Sequence, residues 1–319
     1  MAVNAKAVKQ RIKSAKNTKK ITKAMELVSA AKMRKAVEAA ENTRLYATLA
    51  RELLHRLAFL DEPNYPLLEL RPVKKVLVVV MSSNRGLCGG FNANVFKHTK
   101  AVLENTKRLG EHRVAENRDV PEFTTDIEID ILGVGKKSAW FAKKHGYNLP
   151  AVFDDLHEKP QIEDILSVSD MAIRGYIDKT YDKVLVSYTH YISGLSQEVK
   201  VRQVLPVSPH DLEKMGNELP SGKGESLTAD TAEIERYLFE PDLETIIETI
   251  LPKLVEVQLY QAILESTASE HSSRMVAMKN ASDNAGDLIE DLTREYNKAR
   301  QAAITQEIAE IAGGAAALS

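Results

Sequence analysis

The chain has 319 residues, 44% hydrophobic and 28% charged, with a formal net charge of −2. That composition supports an ordinary globular core, in one large domain or two modest ones. A single cysteine, Cys88, excludes an internal disulfide and fits a reducing compartment, and no apolar run approaches the roughly 20 residues that a membrane-spanning helix needs.

The near-neutral total conceals two opposed ends. Residues 1–35 hold 11 Lys/Arg against one acid, Glu26, whereas residues 225–319 hold 18 Asp/Glu against 7 Lys/Arg. Such ends attract each other, or each seeks a partner of opposite sign. The N-terminus, "MAVNAKAVKQ", lacks the apolar region of a secretory signal. Membrane association is therefore expected only through partners.

The first glycine is Gly86 and the first proline Pro63, so residues 1–60 predict one long helix with Asn4 as its N-cap. Its apolar positions run Met33, Ala36, Ala40, Thr43, Ala47, Ala50, Leu54 and Leu57, at spacings of three and four. Ahead of Met33 the phase is looser: Val8, Ile12, Ala15, then Ile21, Met25, Val28. "VKKVLVVVM" (73–81) predicts a buried strand, "SSNRGLCGGFN" a turn, and about Ala93 to Lys107 a helix. "IEIDILGVG" (127–135) predicts a second strand, followed by helices near 136–145 and at 161–179; "KVLVSYTHY" (183–191) and "EVKVRQVLPV" (198–207) predict further strands. The alternation implies a small, mostly parallel α/β domain over 73–207. Residues 109–125 and 208–235 are polar and turn-rich, and 208–241 reads as a connector.

A second long helix is expected over 242–319, capped by Asp242, since residues 253–312 contain one glycine and no proline. Leu254, Val257, Gln261, Leu264, Ala268, His271, Met275, Met278, Ser282, Ala285, Ile289, Leu292, Tyr296, Ala299 and Ala303 alternate spacings of three and four. That is a coiled-coil seam, in a helix that spans roughly 90 Å over 253–311 at 1.5 Å per residue. The expected fold is α/β: a long antiparallel two-helix coiled coil formed by both termini, with an inserted Rossmann-like α/β domain. Many seam residues are small, and Ser266, Ser269, Ser272, Ser273, Ala277 and Ala281 are read as the outer faces. The result would be a slender rod with a smooth, mildly polar skin, suited to turning inside a sleeve.

The loops carry weak motifs. "GLCGGFN" (86–92) follows a strand and precedes a helix, but Gly86, Gly89 and Gly90 lack G-x-G-x-x-G spacing. "GVGKKS" (133–138) is a truncated Walker loop, with Asp130 in place of its first glycine and Lys137 in place of Ser/Thr. Cys88 sits beside Arg85 in an exposed-looking loop, where it could be a low-pKa thiol, without a histidine to serve a nucleophile. The eight histidines show no metal-ligand spacing, and no Ser/His/Asp or paired-carboxylate set is visible, so no catalytic, cofactor or metal residue is assigned. The basic first helix lacks interleaved aromatics, its first being Tyr46. Two further readings stay open: a nucleotide-binding α/β enzyme with a coiled-coil arm, and a basic coiled-coil nucleic-acid tether.

"NTKKITKAMELVSAAKMRKA" (17–36), "NRGLCGGFNANVF" (84–96), "ASEHSSRMVAMKNASDNAGDLI" (268–289) and "YNKARQAAITQEIAEIAGGAAAL" (296–318) closely resemble the gamma-subunit family of F-type ATP synthases. The resemblance runs in order over nearly the whole chain; residues 109–125 and 208–235 depart from it and read as insertions. It implies a non-catalytic rotor shaft, whose coiled coil sits in a ring of alpha and beta subunits while its α/β domain stands on the proton-carrying membrane c-ring, with the epsilon subunit as a further partner. It implies contacts with the acidic lever loops of beta from Lys19, Lys20, Lys23, Met25, Arg85 and Cys88. It also implies contacts near the upper bore from Arg300, Gln301, Thr305 and Glu307. No cofactor and no nucleic acid are implied. With Cys88 alone, the paired-cysteine switch of plant-type members cannot operate. The expected location is peripheral, on the cytoplasmic face of a bacterial inner membrane.

Overall fold

The computed structural model describes residues 5–57, 65–111, 127–155, 160–208 and 243–317. The expected caps Asn4 and Asp242, and most of 109–125 and 208–235, lie outside them. The chain divides into two compact units, Met1–Ala30 with Arg274–Ser319, and Ala31–Ser273. Two helices run through both: α1 (Ala5–Leu57) and α6 (Leu243–Ala317).

The second unit is built on five strands: β1 (Lys75–Met81), β2 (Glu128–Val134), β3 (Asn148–Phe153), β4 (Lys183–Tyr191) and β5 (Gln197–Leu205). Their order is β3-β2-β1-β4-β5, with β5 alone antiparallel. Central strand β1 is buried on both faces, which is why it reads as an unbroken Val/Leu run. Its alternate residues serve different layers. Val76, Val78 and Val80 meet α2 (Phe91–Leu103) and α4 (Lys136–His145) through Val95, Phe96, Phe141 and Ala142. Leu77, Val79 and Met81 meet α5 (Glu163–Ile177) and α6 through Ile165, Val168, Leu254, Val255 and Ile263. The expected helix over 93–107 ends earlier, at Leu103, and a short α3 (Thr106–Gly110) follows. Strand β3 was not foreseen. It is a half-exposed edge strand containing Pro150, and edges are where a proline costs no ladder bond.

Helix α6 lies against this sheet with a polar face. Ser266, Ser269 and Ser272, expected on an outer skin, are instead buried. The Ser269 hydroxyl donates to the Thr189 carbonyl at 3.2 Å and that of Ser272 to the Gly194 carbonyl at 2.6 Å. Gln197 at the start of β5 donates to the Ser272 hydroxyl at 3.1 Å and accepts from that of Ser273 at 3.1 Å. The smooth-skin expectation fails for these serines because α6 here packs on a sheet as well as on a helix. Below them His190 Nδ1 meets the Glu265 carboxylate at 2.6 Å, both side chains 4–5% exposed, and Gln261 holds the other carboxylate oxygen at 3.0 Å.

In the first unit α1 and α6 run antiparallel. Ala7 and Arg11 of α1 lie beside Leu292, whereas Lys19, further along α1, crosses α6 at Gly286. The Lys19 ammonium passes 2.8 Å from where a Cβ on Gly286 would stand, a contact that the flexible lysine tip relieves by a small shift. The seam on α6 keeps its expected phase: Met278, Ser282, Ala285 and Leu292 are buried and Ala299 is half-buried. It stops there, because Ala303 is exposed, as is every described side chain over 301–313. On α1 the phase differs from expectation. Val8, Ala15, Thr22, Ser29 and Ala36 are buried at a strict seven-residue spacing, while Ile21 and Val28 face outward at 61% and 53% exposure. Thr22 tolerates the seam because its hydroxyl donates to the Thr18 and Lys19 carbonyls of its own helix.

Two outcomes test these assignments. Leu292→Ala should destabilise the chain by about 2–3 kcal/mol, the low end for a buried leucine because a helix pair can close over the gap. Ile304→Ala, on the exposed continuation, should change stability by about 0.5 kcal/mol or less. Chemical denaturation of both variants reads the contrast. Separately, burial and then the hydrogen bond to Asp130 push the Tyr181 phenol up to about 12 from 10.0. A pKa raised by folding stabilises fully below about pH 10, and the contribution disappears as pH climbs through 12. Stability measured over that window should fall, and Tyr181→Phe should flatten that part of the fall.

Candidate partner interface

Two questions decide what the surface offers: whether the loops bind a small ligand, and where charge remains unneutralised. The loops after β1 and β2 stand side by side. The Ser82 amide donates to the Val134 carbonyl, and the Ser82 hydroxyl contacts the Val134 and Gly135 carbonyls. At the N-terminus of α4 the amides of Gly135, Lys136, Lys137 and Ser138 all donate to protein oxygens: Phe153 O, Asn84 Oδ1, Ser83 O and Gly135 O. A phosphate loop works by keeping such amides open to the ligand, so the truncated Walker stretch forms no cradle. Gly135, at φ +86, would place a Cβ 2.1 Å from the Ser82 carbonyl oxygen. The glycine is required by loop-on-loop packing. Among the described residues, no group of three or more His, Cys, Asp or Glu could hold a metal ion.

The glycine loop before α2 is held from within. Asn92 accepts from the Ser83 amide at 3.0 Å and donates to the Ser83 hydroxyl at 2.7 Å and to the Cys88 sulfur at 3.3 Å. Cys88 is 2% exposed. The expectation of an exposed Cys88 is therefore corrected: its thiol is buried and braces the loop. What the loop presents is Arg85, exposed, and Leu87, 62% exposed with a positive φ of 63°. Leu87 carried no signal in the sequence, since an apolar residue in a left-handed conformation is uncommon.

The first unit holds most of the remaining expected positions. Lys19, Lys20 and Lys23 line one open groove of about 1310 Å³ with four more lysines from Lys6 onward, and Asp283 is its single lining acid. Ile12 and Leu27 supply an apolar floor. Lys23 also pairs with Glu26 on its own helix at 2.9 Å. Ile21 and Val28, seven residues apart, form an outward apolar stripe near these lysines, and Leu27 is exposed among them. The sequence pattern concealed it by suggesting that Ile21 and Val28 belong to the seam. Met25 is half-buried. Arg300, Gln301, Thr305 and Glu307 are all exposed, past the buried part of the seam, with Ile304, Ile308 and Ile311 on the same bare length of α6. The second unit holds Arg85 and Cys88.

Gly135→Ala should cost about 3 kcal/mol or more, from the carbonyl clash and the positive φ together. Gly146, with φ +74 and open space around it, isolates the φ contribution: Gly146→Ala should cost about 1–2 kcal/mol. Thermal unfolding of the two variants separates packing from backbone strain.

Among the described residues, the amides that open α4 are satisfied within the protein, and the lysines of α1 gather on one groove. The ATP synthase family model matches residues 4–318. The ATP synthase gamma chain of Acidithiobacillus ferrooxidans is 40% identical over 320 residues, covering 99% of both chains. The ATP synthase gamma chain of Legionella pneumophila is 35% identical over 317 residues, covering 98% of this chain and 99% of that one. Among solved structures, a chain of the Euglena gracilis mitochondrial ATP synthase (OSCP/F1/c-ring) aligns with a TM-score of 0.61 at 19% identity, covering 98% of this chain and 94% of that one. A chain from the central stalk and c-ring of the Tetrahymena thermophila mitochondrial enzyme aligns with a TM-score of 0.52 at 24% identity, covering 82% and 99%. By its sequence over nearly its full length, this chain belongs to the ATP synthase gamma-chain family.

Proposed function

We propose that the chain is the rotor shaft of a proton-translocating F-type ATP synthase and performs no chemistry itself. Its paired helices turn inside a ring of alpha and beta subunits, and its sheet domain is driven by the membrane c-ring, with an epsilon subunit alongside. Rotation of an asymmetric shaft carries three catalytic beta sites through different conformations. The observation that carries this reading is the groove on α1: seven lysines against one lining acid, beside the exposed Ile21, Leu27 and Val28. Such a surface fits acidic, amphipathic lever elements on the surrounding subunits. Charge directs the encounter and the register, while the apolar stripe supplies contact.

Lys19, Lys20, Lys23 and Met25 form the lever contact in this reading, and Arg85 with Leu87 forms a second one on the glycine loop. Cys88 acts there only by bracing that loop. Arg300, Gln301, Thr305 and Glu307 meet the upper bore. A guanidinium and an amide there can donate to carboxylates or carbonyls of the sleeve. A single shaft in a threefold sleeve makes such bonds with one beta subunit at a time, so they break and re-form at each step. No helix among the described residues is long and apolar enough to cross a membrane; in this reading the chain is held by the assembly, at the cytoplasmic face.

Co-expression with alpha and beta subunits tests the reading directly. The chain should co-purify with them, and a failure to associate would overturn the assignment. Within the complex, reversing Lys19, Lys20 and Lys23 to Glu should leave subunit composition unchanged, because exposed ion pairs contribute only about 0–1 kcal/mol each. ATP-driven proton pumping should drop several-fold. Unchanged pumping in an intact complex would remove these lysines from the lever contact.

A further inference from the structure

We propose that the buried His190–Glu265–Gln261 cluster and the serine ladder beside it form a registration joint. It keys α6 to strands β4 and β5 so that twist in the helix is delivered to the sheet. The inference rests on the rotor-shaft reading and assigns residues to a step that reading leaves open.

The cluster is conspicuous because stability alone does not call for it. Before and between its members, α6 meets the second unit's core through Leu254, Val255, Leu259, Ala262 and Ile263. A buried ion pair is commonly no more stable than well-packed apolar residues of similar volume. Yet here α6 changes chemistry. His190 and Glu265 meet at 2.6 Å at 4% and 5% exposure. Gln261 donates to the second carboxylate oxygen at 3.0 Å, while its own carbonyl oxygen is buried without a partner. The series continues with Ser269 on Thr189, Ser272 on Gly194 and Gln197, and Ser273 on Gln197.

Direction is what distinguishes this face from the apolar one. Hydrophobic contact is non-directional, so an apolar helix can turn or slide a little at small cost. Hydrogen bonds weaken steeply as they bend. Positions 261, 265, 269 and 272 follow spacings of four, four and three, so they share one side of α6. Their bonds therefore lie off the helix axis, where a rotation of α6 against β4 bends all of them together. A buried polar group that fixes register at the expense of some stability is the best-attested use of such pairs. From this joint α6 continues unbroken to Ala317.

The test uses the assembled complex with a bead on Lys143→Cys; buried Cys88 leaves the introduced thiol as the accessible one on this chain. A triple variant, His190→Leu with Gln261→Met and Glu265→Leu, replaces all three members of the cluster together, so that none of the three is left facing a missing partner. Its melting temperature should equal or exceed the parent's, yet the bead's dwell-angle distribution should broaden and protons pumped per ATP should fall. Glu265→Gln alone, whose amide oxygen can still accept from His190 Nδ1–H, should keep the parental distribution. Ser269→Ala with Ser272→Ala, a milder change, should broaden it in the same direction. A rotating complex in which both the triple and the double-serine variants keep the parental spread would overturn the joint alone. A parent bead that never turns under ATP would overturn the shaft reading, and the joint's role with it.

Discussion

The constraint on which the rest depends is how much partner surface α6 finds at each point along its length. An amphipathic helix gives a single neighbour a stripe little wider than 100°. Between Leu251 and Ser269 α6 packs against the sheet and α5, and most of its residues are buried whatever their position on the helix. Between Arg274 and Arg300, where among the described residues it pairs with α1, burial is confined to Arg274, Met278, Ser282, Ala285 and Leu292. From Gln301 to Gly313 its described side chains are all exposed. At roughly 25 cal/mol per Å² of apolar surface removed from water, the helix is anchored where it is enclosed and only guided where it is paired. The small seam residues follow from that: large ones on a two-helix unit would remain half in water.

The same constraint explains what the sequence disclosed. Where a stripe faces one neighbour, periodicity is informative, and the three-four spacing of Met278, Ser282, Ala285 and Leu292 matches the buried positions. Strands β1, β2, β4 and β5 were readable because their Val/Ile/Leu runs have no other use, whereas β3 carries a proline and a half-exposed pattern that fits a loop as well as an edge. The serines at 266, 269 and 272 were misread because small polar residues look alike whether they face water or accept a place against a carbonyl. On α1, Thr22 and Ser29 hold the seam while Ile21 and Val28 leave it. Hydrophobicity ranks those four in the reverse order. At Thr22 the hydroxyl bonds back to its own helix, which makes the observed choice affordable there, and that is a geometric fact.

For the interface, residue type was legible and posture was not. The lysines of the first helix announced themselves by count, and the structure gathers seven of them on one groove. Cys88 was conspicuous as the lone cysteine, but its thiol turns inward to Asn92 and Ser83, and the loop offers Leu87 and Arg85 instead. Charge patterning survives folding because charges stay on the surface. A loop's inside and outside depend on one or two φ values that composition does not encode.

The opposed charges of the two ends bear on this. Were α1 and α6 paired mainly by charge, the acids of α6 would line the lysine groove, and only Asp283 does. Apolar and small residues hold the pair at the seam, and Lys19 crosses at Gly286. Seven lysines thus share one groove with a single lining acid, with Lys23 paired to Glu26, at the cost of mutual repulsion along one helix face. A protein that needed only a stable helix pair would reduce that repulsion. Retaining it makes physical sense when an acidic surface outside the chain meets the groove, and an acidic surface met repeatedly is better served by screened, exchangeable charges than by a permanent apolar contact.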